Sequence, residues 1–126
     1  MSTAYSVTVP YPPTVNRYYV NTGGQRKAKR EEVDKYHRAV GWCVLQQGKA
    51  PALQGLLSCS LEVWPPDRRR RDLDNILKAL LDAMQKAGVY GDDQQIAHLC
   101  MRRMPIVGGM VKVQLTPLGA TDAHTH

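Results

Sequence analysis

The chain has 126 residues, 43% of them hydrophobic and 22% charged, a balance that suits one compact domain and excludes a wholly disordered chain. Lysine and arginine number 17 against 11 acidic residues, a net charge of +6, which favours a polyanionic partner: nucleic acid first, an anionic membrane surface second. No stretch approaches the roughly 20 apolar residues that span a bilayer, and Met1 to Pro10 lacks the basic and apolar regions of a signal peptide, so a cytoplasmic protein without membrane contact is expected.

In chain order, Tyr5, Val7 and Val9 alternate with polar neighbours and predict a short strand ended by Pro10. Pro12 and Pro13 then forbid a regular ladder, so the segment through Tyr19 is expected to be extended or turning. Asn21 to Arg30, with Gly23-Gly24 followed by Arg26, Lys27, Lys29 and Arg30, reads as a mobile basic loop. Val33, Tyr36, Val40, Val44 and Gln47 recur at helical spacing, which predicts a helix from Glu31 to Gln47 stopped by Gly48. Leu57, Cys59, Leu61 and Val63 alternate with Ser58, Ser60 and Glu62, a clear strand closed by Trp64-Pro65-Pro66-Asp67.

A second helix is expected from Leu73 to Ala87. Leu73, Ile76, Leu77, Leu80, Leu81, Met84 and Ala87 form its core-facing stripe, and Gly88 supplies the stop. Tyr90-Gly91-Asp92-Asp93 reads as a turn. Ile96 to Met104 is a strand of blurred alternation, and Met110, Val111, Val113 and Leu115 mark another, with the two suited to a hairpin through Gly108-Gly109. The expected fold is α+β (mixed α/β): residues 1–118 as one domain with a sheet of about four strands packed on two helices, and residues 119–126 as a polar tail. Cys43, Cys59 and Cys100 are far apart and form no C-x-x-C pair, so buried reduced thiols are expected rather than a zinc site.

The chemistry concentrates in Arg68-Arg69-Arg70-Arg71-Asp72-Leu73-Asp74-Asn75. Two carboxylates stand two residues apart where a loop enters a helix, and Asp93 offers a third on the turn after it. Hard divalent cations such as magnesium take oxygen ligands, and a cation relieves the repulsion between gathered carboxylates. Each aspartate also has an ordinary structural role open to it. Asp72 suits the cap of a helix beginning at Leu73, Asp74 suits the positive end of the helix dipole, and Asp92-Asp93 suits a turn. A cap needs one aspartate, however, not two beside a cationic run. A helix from Leu73 to Ala87 is about 22 Å long, so Asp93 must either be carried back along it by the Gly88 to Asp92 segment or reach the other two from the facing subunit of a dimer.

Arg68 to Arg71 form either a solvated basic loop or a clamp in which guanidinium forks meet phosphate oxygens. Lys78, four residues beyond Asp74, shares its helical face and either pairs with Asp82 or reaches a scissile phosphate. His37 and His98 are lone histidines, expected to be structural before catalytic, and Tyr18 and Tyr19 beside Arg17 suit either the core or stacking on nucleotides.

The run Arg70-Arg71-Asp72-Leu73-Asp74-Asn75, then Lys78, then Gly91-Asp92-Asp93-Gln94-Gln95-Ile96, resembles the RusA-type Holliday-junction resolvases of bacteria and their prophages. Pro12-Pro13-Thr14-Val15-Asn16-Arg17-Tyr18-Tyr19 resembles that family's N-terminal segment, and the likeness extends from about Tyr5 to about Thr116. The resemblance implies three metal-binding aspartates, Asp72, Asp74 and Asp93, with Lys78 as the catalytic or phosphate-contacting lysine. It implies a homodimer that cuts four-way junctions by paired symmetric nicks with magnesium, manganese being a substitute, and leaves 5′-phosphate and 3′-hydroxyl ends. No small-molecule cofactor is expected. Arg68, Arg69, Arg70, Arg71, Asn75, Arg17, Arg26, Lys27, Lys29 and Arg30 are the expected contacts to branched DNA. The rival reading is a basic DNA-binding protein without catalysis, in which the aspartates only cap a helix. A metal-dependent phosphatase of small molecules fits less well, because a small substrate does not call for so many arginines.

Overall fold

The computed structural model describes residues 4–13, 23–67 and 73–118, with the backbone alone at 23–29, 74 and 75. Among the described residues, four strands and two helices follow one another as β1 (Tyr5–Pro10), α1 (Gly23–Gln46), β2 (Leu57–Trp64), α2 (Asp74–Lys86), a 3-10 turn (Asp93–Gln95), β3 (Ile96–Arg103) and β4 (Met110–Pro117). The strands form one mixed sheet in the order β1-β4-β2-β3. β4 is antiparallel to both β1 and β2, while β2 and β3 are parallel. This is the small α+β domain that the alternation and the helical stripe predict.

Period-two patterning decides which face of the sheet is covered. Val7 and Val9 of β1, Leu57, Cys59, Leu61 and Val63 of β2, and Val111, Val113 and Leu115 of β4 are all buried. Their neighbours Thr8, Ser60, Lys112 and Gln114 are exposed on the opposite face. The helices close the apolar face with residues spaced at three and four: Tyr36, Val40 and Val44 from α1, and Ile76, Leu80, Ala83 and Met84 from α2. Leu80 is fully enclosed. Leu80→Ala is therefore expected to cost about 2–5 kcal/mol of stability, read as a lower urea midpoint at unchanged slope.

Polar anchors fix the ends. The Tyr36 hydroxyl donates to the Pro10 carbonyl at 2.8 Å, tying α1 to the end of β1. Burial, with a smaller contribution from Cys43, pushes that phenol far above the usual tyrosine range, so it stays a donor. At the end of α2 the Gly88 amide donates to Gln85 and the Val89 amide to Met84, with Gly88 at φ +86°. That is the glycine-terminated cap expected at this position, and Val89 and Met84 supply its buried apolar contact.

Three expectations are corrected. Gly23 to Arg30 belong to α1 rather than to a basic loop. Gln25, Arg26, Lys27, Ala28, Lys29 and Arg30 are all good helix formers, and their summed propensity outweighs the glycine pair at the start. β3 and β4 do not form a hairpin, because β2 lies between them. With α2 as the connection, β2 and β3 pair in parallel, as strand–helix–strand units do, and residues 104–109 cross the end of β2, where Met104 and Val107 donate to Val63 and Pro65. Of the cysteines, Cys59 is buried and its thiol is pushed up to about 12 by desolvation, but Cys43 is half-buried and Cys100 exposed on the edge strand. No helix among the described residues is long and apolar enough to cross a membrane.

Candidate functional site

Asp93 opens the 3-10 turn that leads into β3. The two adjacent aspartates there do different work. Asp92, in extended backbone, takes the cap position and accepts from the Gln94 amide at 2.9 Å. Its turn-forming role is therefore met in full. The half-buried Asp93 carboxylate makes no hydrogen bond or ion pair with a described residue; its main chain is engaged, the amide donating to Gln85 Oε1 at 3.2 Å and the carbonyl accepting from the Ile96 amide. A carboxylate held by its backbone and left open at its oxygens has the donor chemistry that a hard cation requires.

The turn is fastened by Gln95, a motif residue to which the sequence assigns no role. Gln95 Oε1 accepts from the amides of Gly91 and Asp92 at 3.0 and 3.1 Å, while Gln95 Nε2 donates to the carbonyls of Leu53 and Gly55 at 3.0 and 2.9 Å. All four hydrogen-bonding positions of the amide are used. The signal was present in the sequence: Asp92-x-x-Gln95 is a capping-box pattern, in which the third residue reaches back to the cap amide.

Asp74 is the first residue of α2, one position later than the expected helix start, and Leu73 takes the cap position at φ −62° and ψ −37° without a side-chain bond. Lys78 lies one turn on, exposed, with its Nζ 3.6 Å from Asp82 Oδ2. The two side chains are 64% and 38% exposed, so this expected pair is worth at most about 1 kcal/mol and leaves the ammonium free to exchange onto a phosphate. Asn75 is in the same first turn. Arg30 is exposed on α1, whose backbone also carries Arg26, Lys27 and Lys29. Asp72, Arg68 to Arg71, Arg17, Tyr18 and Tyr19 lie outside the described residues, as does the tail from 119 to 126.

Within one chain the fold does not bring Asp74 and Asp93 together. Gln85, which holds the Asp93 amide, is eleven residues beyond Asp74 on the same helix, about 16 Å at 1.5 Å per residue. No three His, Cys, Asp or Glu residues gather among the described ones.

Neither histidine joins these residues. His98 Nδ1 lies 3.2 Å from Ser58 Oγ on the open face of the sheet. Both ring nitrogens of His37 are buried without a partner among the described residues. Burial and then the charge of Lys86 lower its pKa, against the opposing pull of Asp82 and Asp34.

The family model described as Endodeoxyribonuclease RusA matches residues 10–116. The proteins named crossover junction endodeoxyribonuclease RusA of Escherichia coli (strain K12) and Shigella sonnei (strain Ss046) are each 37% identical to this chain over 119 residues, covering 91% of it and 96% of their own length. The relative of that name in Enterobacteria phage 82 is 36% identical with the same coverage. Nearly the whole chain is matched, including the segment that bears Asp74, Lys78 and Asp93, and the chain belongs to the RusA endodeoxyribonuclease family.

Proposed function

We propose that the chain is a resolvase that cuts four-way DNA junctions as a homodimer, with magnesium held by Asp72, Asp74 and Asp93. The observation that carries the metal assignment is the contrast at the β3 entry, where Asp92 is consumed by its cap and Asp93 is left with open oxygens. The names of the relatives support the junction substrate. When bound, the ion makes a water a better nucleophile at neutral pH and offsets charge on the phosphoryl oxygens, and manganese meets the same oxygen-donor requirement.

The chain's own residues supply the rest. The carboxylates fix the position of the ion, and Lys78 on the same helical face as Asp74 adds positive charge where negative charge builds on the scissile phosphate. Arg68, Arg69, Arg70, Arg71 and Asn75, with Arg17, Arg26, Lys27, Lys29 and Arg30, hold the flanking backbone and fix the register of the DNA. A two-fold dimer presents two such centres to the two like strands of a junction.

The test is a synthetic four-way junction incubated with the protein and magnesium, then with EDTA. Paired symmetric nicks are expected with magnesium, and their complete loss on chelation with junction binding retained. Binding without any cleavage at any magnesium or manganese concentration would leave only a DNA-binding protein.

A further inference from the structure

The loop between β3 and β4 holds its backbone down and its apolar side chains out. β2 and β3 are parallel, with Val63 opposite Arg103, so both strands finish at the same end of the sheet. The chain leaves β2 there for α2, whose first residue is Asp74. α2 then runs back to the opposite end, where Gln85 meets the Asp93 amide ahead of β3. Residues 104–109 therefore share an end of the domain with Asp74 and with the connection that in sequence carries Arg68 to Arg71.

The base of the loop is fastened. The Met104 amide donates to the Val63 carbonyl at 2.8 Å, and the Val107 amide to the Pro65 carbonyl at 3.3 Å. Gly109 stands at φ +88°, and a Cβ there would lie 2.8 Å from Pro66 Cβ, so the backbone rests directly on Pro66 and no larger residue fits. The tip is the reverse. Ile106 and Val107 are 47% and 55% exposed although both are large and apolar. β-Branching stiffens them, so they project from a held backbone with little freedom to lose on contact.

The surrounding charge indicates what such a tip meets. Arg102 and Arg103 lead into the loop, and Arg68 to Arg71 follow the Pro65-Pro66 segment on which it rests. Guanidinium groups around an apolar tip match a nucleic acid, with phosphates outside and base faces inside. In a continuous duplex each base face is covered by its neighbour, and an apolar wedge must first unstack them. At the branch point of a four-way junction that stacking is already interrupted. We infer that Ile106 and Val107 enter the centre of the junction and pack on the base faces at the branch point, so that this tip selects branched over linear DNA. The arginines contact phosphate on either. The inference rests on the junction-cutting reading above.

The test compares the wild type with the double variant Ile106→Ser, Val107→Ser and the apolar control Ile106→Leu, Val107→Leu. Binding is measured in EDTA on a four-way junction and on a duplex of the same arm sequence, with 2-aminopurine placed either at the branch point or in mid-arm. The wild type is expected to prefer the junction and to brighten the branch-point probe alone. The serine variant is expected to keep duplex affinity and the urea midpoint, to lose about 10- to 100-fold in junction affinity, and to leave the branch-point probe dim. The leucine variant is expected to behave as the wild type. Wild-type junction preference and a bright probe in the serine variant overturn the inference and leave the junction reading standing. Equal loss on junction and duplex, a weaker dimer in sedimentation, or a lower urea midpoint also overturns it, because the tip then serves general binding, subunit contact or packing. A wild-type protein without any preference for the junction overturns the junction reading itself, and the inference with it.

Discussion

Replacing Asp74 with asparagine is expected to lower the rate of junction cutting by on the order of 10³-fold or more while junction binding is kept or tightened. The loss follows from taking one carboxylate from the proposed metal-ligand set. Metal stabilisation of the transition state is worth several kcal/mol, and each 1.36 kcal/mol is a factor of ten in rate. Binding survives because asparagine removes a negative charge close to phosphate. Folding survives because asparagine is tolerated at a helix start. Single-turnover cleavage and a gel-shift titration on one junction separate the two quantities. Asp93→Asn should be equally inactive, whereas Asp92→Asn should cut at close to the wild-type rate, since asparagine caps as well as aspartate does and Asp92 serves only the cap. Normal cutting by Asp74→Asn would remove it from the ligand set.

Gln95→Leu is expected to reduce both stability and cutting. The side chain makes four hydrogen bonds that join the Asp93 turn to residues 53–55. A typical net worth is about 1 kcal/mol per bond, and partial exposure of this site lowers the sum to about 1–3 kcal/mol. Cutting should fall by about 10- to 100-fold, the usual cost of removing the group that orients a metal ligand, and Mn2+ affinity should fall with it. Gln95→Glu should not rescue either loss, because a carboxylate keeps the acceptor for Gly91 and Asp92 but presents a second acceptor to the Leu53 and Gly55 carbonyls. Urea unfolding and Mn2+ titration measure the two effects separately. Wild-type cleavage by a folded Gln95→Leu would show that the turn holds Asp93 without this amide.

Much of this architecture can be read from side-chain periodicity. The alternation of Leu57, Cys59, Leu61 and Val63 and the stripe from Ile76 to Met84 mark residues that the fold buries almost completely, because both patterns follow directly from backbone geometry. The start of α1 is not legible in that way. A glycine pair and a cationic run carry no periodicity, and only helix propensity argues for the conformation they adopt. Strand neighbours are harder still. β3 and β4 are consecutive and joined through two glycines, yet their places in the sheet depend on β2, which comes much earlier in the chain.

At the candidate site, the sequence marks Asp72, Asp74, Lys78 and Asp93 through their motif spacing but cannot distinguish the tasks of Asp92 and Asp93. Both are acidic turn residues, and only the direction of the Asp92 side chain toward the Gln94 amide separates cap from open ligand. The distance between Asp74 and Asp93 is likewise set by which ends of α2 and β3 adjoin, a property of topology rather than of local composition.

The double grip of Gln95 has a consequence for motion. It staples the Asp93 turn to residues 53–55, so the amides of Gly91 and Asp92, which it holds from the other side, should exchange with solvent only when both segments open together.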